Sequence, residues 1–188
     1  MIKTRFDDSI DLLELIPPGA VIGIIACSDC AAAFKTSDTK RIKQICDLFN
    51  GRNEILFKLS SGAPCDQRVF RRLAPGAPGF AQASCYIVLA CEAGLRSVSG
   101  YISEVKKERG ESEFSVISPV RTLSYVTVDS CGGDFNACIF CDECRFESKN
   151  GPCPVANCPL HKTDGPCQDR GGDLCGYGGA EGRKCSWL

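Results

Sequence analysis

The chain has 188 residues, 15 of them cysteine, and its 22 basic and 23 acidic residues leave a net charge of −1. That length fits one or two domains. The balanced charge, with no basic stripe, argues against a nucleic-acid binder, and no run approaches the ~18 apolar residues of a membrane span.

In chain order, "MIKTRFDDSIDLLELIPPG" is broken by Asp7, Asp8, Asp11 and Glu14 and does not read as a signal peptide. "AVIGIIA" (Ala20 to Ala26) is a continuous apolar run, as expected of a buried parallel strand. "SDTKRIKQICDLFNG" follows as a helix. Ser37 or Asp38 can cap it, Ile42, Ile45, Cys46 and Phe49 repeat at helical spacing, and Asn50 and Gly51 end it. "EILFKLS" reads as a strand, "DQRVFRRL" as a short helix closed by "APGAPG", and "CYIVLA" as a third strand. "GLRSVSGYISEVKKERGE" reads as a helix with Leu95, Val98, Ile102 and Val105 on one face. "FSVISPV" is a fourth strand and "LSYVTVD" a candidate fifth. This alternation predicts an α/β domain over residues 1–128, with an open, mostly parallel, flavodoxin-like sheet and helices on both faces.

Residues 129–188 predict a small, irregular, cysteine-rich metal-binding domain. From position 131 onward, nine cysteines and ten glycines accompany only 13 other hydrophobic residues. So little apolar surface does not offset an ordering cost of about 1.5 kcal/mol per residue. Either a disulfide scaffold or bound metal must supply the difference. The absence of a signal peptide points to the cytoplasm, a reducing compartment in which thiolates bind metal and metal binding becomes folding energy.

Cys138, Cys141 and Cys144 form a CxxCxxC run like the start of a bacterial ferredoxin ligand set. Cys153 and Cys158 are each followed by proline, and Cys167, Cys175 and Cys185 lie in glycine-rich loops. With Cys131 set aside, these eight cysteines suffice for two four-cysteine sites, read as two [4Fe–4S] clusters. Structural zinc suits the same thiolates. His161, the single histidine, reads as a surface-loop residue, with zinc ligation the alternative.

The segment "NACIFCDEC…NGPCPVANCPLHKTDGPCQD…LCGYG…RKCSWL" resembles the methylenetetrahydrofolate reductase C-terminal family, the cysteine-rich small subunit of acetogen-type reductase complexes. The resemblance covers about residues 136–188. Cys138, Cys141 and Cys144 match the first family element, and Gly151, Cys153, Pro154 and Cys158 the second. Gly165, Pro166 and Cys167 match the third, Cys175 the fourth, and Cys185 with Trp187 the last. Family elements written GPCGG and KCE read "GPCQD" and "LCG" here. The N-terminal half resembles the family's N-terminal region more weakly, with "IIACSDC" where the family has a GCGTC-like loop. The resemblance implies a flavin-containing methylenetetrahydrofolate reductase partner, further electron-donor subunits, and reduction of methylene- to methyl-tetrahydrofolate by the complex.

Cys27 and Cys30 follow the first strand, Cys65 the second and Cys91 the third. Ligands of an open parallel sheet bind beyond the carboxyl ends of its strands. The four sulfurs are therefore candidates for a third site, holding an Fe–S cluster or zinc. A redox dithiol at Cys27 and Cys30, or small buried hydrophobes, are the other readings. The first turn has no GxGxxG, so a dinucleotide is not expected. Cys46 reads as core and Cys85 as structural.

Three functions follow. The first is an iron–sulfur electron-transfer subunit, non-catalytic on the reading of its few acids and bases, that relays electrons to the flavin of its partner. The second is a structural zinc module that docks a partner. The third is an accessory protein of a corrinoid methyl-transfer system. Trp187 and Leu188 either anchor on the partner or fold back beside Cys185.

Overall fold

The computed structural model describes residues 1–128, 134–139, 153–168, 171–177 and 182–188. Compactness divides the chain into Ile2–Thr122 and a second unit of Met1 with Leu123–Leu188. The fold is mixed α/β, built on a parallel four-strand sheet.

The strands of that sheet are β2 (Val21–Cys27), β3 (Glu54–Ser61), β4 (Cys85–Leu89) and β5 (Ser115–Ile117), in the order β3-β2-β4-β5. The helices are α1 (Leu12–Leu15), α2 (Cys30–Ala33), α3 (Thr39–Phe49), α4 (Gln67–Leu73) and α5 (Glu92–Glu108). Strand alternation sends side chains to two separate cores. Ile22, Ile24, Ala26, Ile87 and Leu89 pack with Leu12 of α1 and Ile45 and Phe49 of α3. Ile25, Cys27, Phe57, Tyr86 and Val88 pack with Phe70 of α4 and Val98 and Ile102 of α5. A sheet covered on both faces explains why β2 and β4 read as unbroken apolar runs.

Asp38 caps α3 by accepting the Arg41 amide at 2.9 Å, and Gly51 beyond its end sits at a φ of 75°. Asp66 caps α4 in the same manner. Helix α5 begins two residues earlier than the sequence reading, at Glu92, whose amide is capped by the Thr122 hydroxyl at 2.8 Å.

A second sheet has the order β1-β6-β7, with β1 Ile2–Phe6, β6 Val120–Val128 and β7 Asp134–Cys138. Strand β7 pairs antiparallel with β6, placing Cys138 opposite Tyr125. The candidate fifth strand therefore exists, within β6, but outside the parallel sheet. In the unit that includes Leu123–Leu188, α6 (Pro154–Asn157) is a single helical turn, and Gly171, Leu174 and Lys184 make isolated bridges.

Candidate metal centre

Strand β2 has β3 on one side and β4 on the other, so the chain changes direction between β2 and β4. In parallel sheets, the crevice beyond the strand ends at such a reversal is the usual ligand position. Cys27 is the last residue of β2 and is buried. Cys30 opens α2 and is half-buried. Cys65 lies in the loop after β3 and is exposed, and Cys91 is the buried N-cap residue of α5.

The structure brings these four thiols into one electrostatic neighbourhood. Burial pushes the Cys27 thiol up, the charges of Cys30 and Cys91 add to the shift, and the backbone amides of Asp29 and Ala31 oppose it. Partial desolvation raises Cys65 even though the residue is exposed, with Cys91 and Cys30 adding to it and the amides of Cys65 and Asp66 opposing. Each of Cys27 and Cys65 thus has two backbone donors ready for a thiolate.

Local packing fixes the arrangement. Ser37 is buried and its hydroxyl donates to the Cys27 carbonyl. The Ser28 amide donates to the Ser61 carbonyl at 2.9 Å, tying the turn after β2 to the end of β3. A Cβ on Gly94 would lie 2.8 Å from the Ala90 Cβ and 3.5 Å from Pro64, so α5 packs closely on the Cys65 loop. Because Thr122 caps α5, the Cys91 thiol is left out of the cap, at the helix end where the macrodipole favours negative charge.

Four thiols, two of them with backbone amides nearby, suit a soft, thiolate-bound metal or Fe–S group. No three His, Cys, Asp or Glu side chains among the described residues are set to hold an ion as they stand. The fit therefore rests on donor chemistry and on the convergence of the strand ends. Cys46 packs against the α1/α3 core, and Cys85 is buried and bonded to Ser115.

Of the eight C-terminal candidates, Cys141 and Cys144 lie outside the described residues, as does Cys131. Cys138, Cys153, Cys158, Cys167, Cys175 and Cys185 are all half-buried. Cys153 and Cys158 bracket α6, and Asn157 bonds back to the Cys153 carbonyl at 2.8 Å. The Cys175 amide bonds to Arg183 and the Cys185 amide to Asp173, both at 2.8 Å, which sets those two cysteines on adjoining strands of chain. The Ser186 hydroxyl donates to the Pro154 carbonyl at 2.9 Å, joining the Cys185 and Cys153 loops. His161 is exposed, in the left-handed region at a φ of 49°. Trp187 is half-buried and Leu188 exposed.

Sequence reasoning singled out Ser37 only as a helix cap, not as the partner of the Cys27 carbonyl, and missed Ser61 and Thr122. The alternation of Phe57, Leu59 and Ser61 along β3 was the available signal, since it places a small polar residue at an inward position. No helix among the described residues is long and apolar enough to cross a membrane. The chain matches no model of a known protein family, no curated protein and no solved structure.

Proposed function

We propose that the protein is an iron–sulfur electron-transfer subunit that relays electrons to a flavin-containing methylenetetrahydrofolate reductase partner in the cytoplasm. The observation that carries the reading is the convergence of Cys27, Cys30, Cys65 and Cys91 beyond three parallel strand ends. The order β3-β2-β4-β5 fits four strands of a flavodoxin-like sheet, with no fifth parallel strand among the described residues.

In this reading Cys138, Cys141, Cys144, Cys153, Cys158, Cys167, Cys175 and Cys185 hold two [4Fe–4S] clusters in a cysteine-rich domain. The four N-terminal cysteines hold a third group. Iron–sulfur groups supply one-electron chemistry when bound. The chain contributes thiolate ligation, amide donors and burial, which together tune potential. The partner supplies the flavin and the groups that act on the folate. The links between Cys175, Cys185 and Cys153 support a shared C-terminal site. The partner assignment rests on the cysteine-rich sequence resemblance.

The test is anaerobic stopped-flow mixing of the dithionite-reduced, desalted protein with the oxidised flavoprotein reductase. Flavin reduction in step with bleaching near 400 nm is the expected result. A Cys91→Ser variant should lose iron and deliver fewer electrons per chain. Full iron content in that variant would remove Cys91 from the ligand set, and an unreduced flavin would refute the relay.

A further inference from the structure

Ser61 is 1 % exposed, and its hydroxyl has no hydrogen-bond partner among the described residues. Its position in the sheet says where that hydroxyl lies. Ser61 is the last residue of β3 and pairs in register with Cys27, the last residue of β2. Two steps back, Leu59 pairs with Ile25. Leu59, Ile25 and Cys27 all belong to the core on the α4/α5 face. Alternation along both strands therefore puts the Ser61 side chain on the same face as the Cys27 thiol, on the neighbouring strand.

A buried hydroxyl without a partner is costly, and native proteins leave few of them. The Ser61 backbone does not account for this one, because its carbonyl already accepts the Ser28 amide. Nor does packing alone, since alanine would fill the strand end without burying an oxygen. A sulfur-rich anionic group held at Cys27 would give the hydroxyl an acceptor.

We infer that the Ser61 hydroxyl donates a hydrogen bond to sulfur of the iron–sulfur group held by Cys27, Cys30, Cys65 and Cys91, and thereby raises its reduction potential. The inference rests on the proposed four-thiolate site and adds a residue that holds no metal itself. A donor beside the sulfurs stabilises the more negative, reduced state. Losing it shifts the potential downward.

The experiment is an anaerobic potentiometric titration of the full chain followed by electron paramagnetic resonance. The signal to follow is the one that disappears in Cys27→Ser. In Ser61→Ala that signal should persist with unchanged iron content and titrate at a more negative potential, and Ser61→Thr should restore the potential toward that of the unaltered protein. Ser61→Ala keeps every backbone bond of β3, and circular dichroism checks its fold. An unmoved potential with full iron would overturn the donor role and leave the four-thiolate reading standing. Loss of iron in Ser61→Ala would make the oxygen a ligand and overturn it as well. If Cys27→Ser removes no signal, the inference falls together with the site.

Discussion

Ser37 and Asp38 are neighbours, either of which can cap α3 by its chemistry. Asp38 takes the cap, and Ser37 turns inward to hold the Cys27 carbonyl. The cap was legible because it is a local pattern. The inward bond was not, because it depends on where β2 ends in space. Asp7 shows a similar local economy. Its carboxyl is held at about 2, below the ordinary 3.8, chiefly by the Ser9 hydroxyl and then by Arg121. A carboxylate depressed in the folded state contributes stability that is present above the ordinary pKa. That stability is lost as pH falls through the folded value. Urea midpoints measured from about pH 4.5 down to about pH 2 should therefore fall less steeply for Asp7→Asn than for the unaltered protein. Parallel curves would show that the Asp7 cluster does not contribute.

At the scale of elements, β2, β3, β4, α3, α4 and α5 were readable because each carries a strong period or an unbroken apolar run. Strand β1 was not, because "IKTRF" is short and interrupted by Lys3 and Arg5. The four-residue α2 was hidden in "CAAAF", where no period can develop. The second sheet escaped for a different reason. Residues "LSYVTV" announce a strand but not its partner, and β7 lies in a segment whose cysteines dominate its composition. Pairing is long-range information that a local pattern does not carry.

Strand β2 also shows how tightly the site's platform is packed. A Cβ on Gly23 would lie 2.3 Å from the Phe57 ring, on the face that carries Cys27 four pairs further on. Phe57 is itself held among Phe80 and Tyr86, with ring centroids 5.5 and 6.4 Å away. Gly23→Ala should cost about 1–3 kcal/mol through overpacking, read as a lower midpoint in chemical denaturation. An unchanged midpoint would mean that the Phe57 ring yields freely.

Across the whole molecule, the two units rest on different physics. Ile2–Thr122 has an apolar core on each face of its sheet. Among the described residues from Cys153 onward, only Pro154, Val155 and Ala156 are buried. Composition foretold that contrast, since glycines and cysteines outnumber the hydrophobic residues available there. Composition did not reveal the bonds that link the Cys153, Cys175 and Cys185 loops, which arise from backbone groups and the Ser186 hydroxyl. Nor did it reveal the unpartnered Ser61 beside Cys27.

The central claim is that these cysteines hold iron–sulfur groups. Metal analysis with a visible spectrum on anaerobically purified protein tests it most directly. The account predicts brown protein absorbing near 400 nm, with roughly twelve irons per chain when two four-iron clusters and a third at the N-terminal thiols are filled. Colourless protein carrying zinc and no iron would contradict it, and would make the chain a thiolate-zinc docking module.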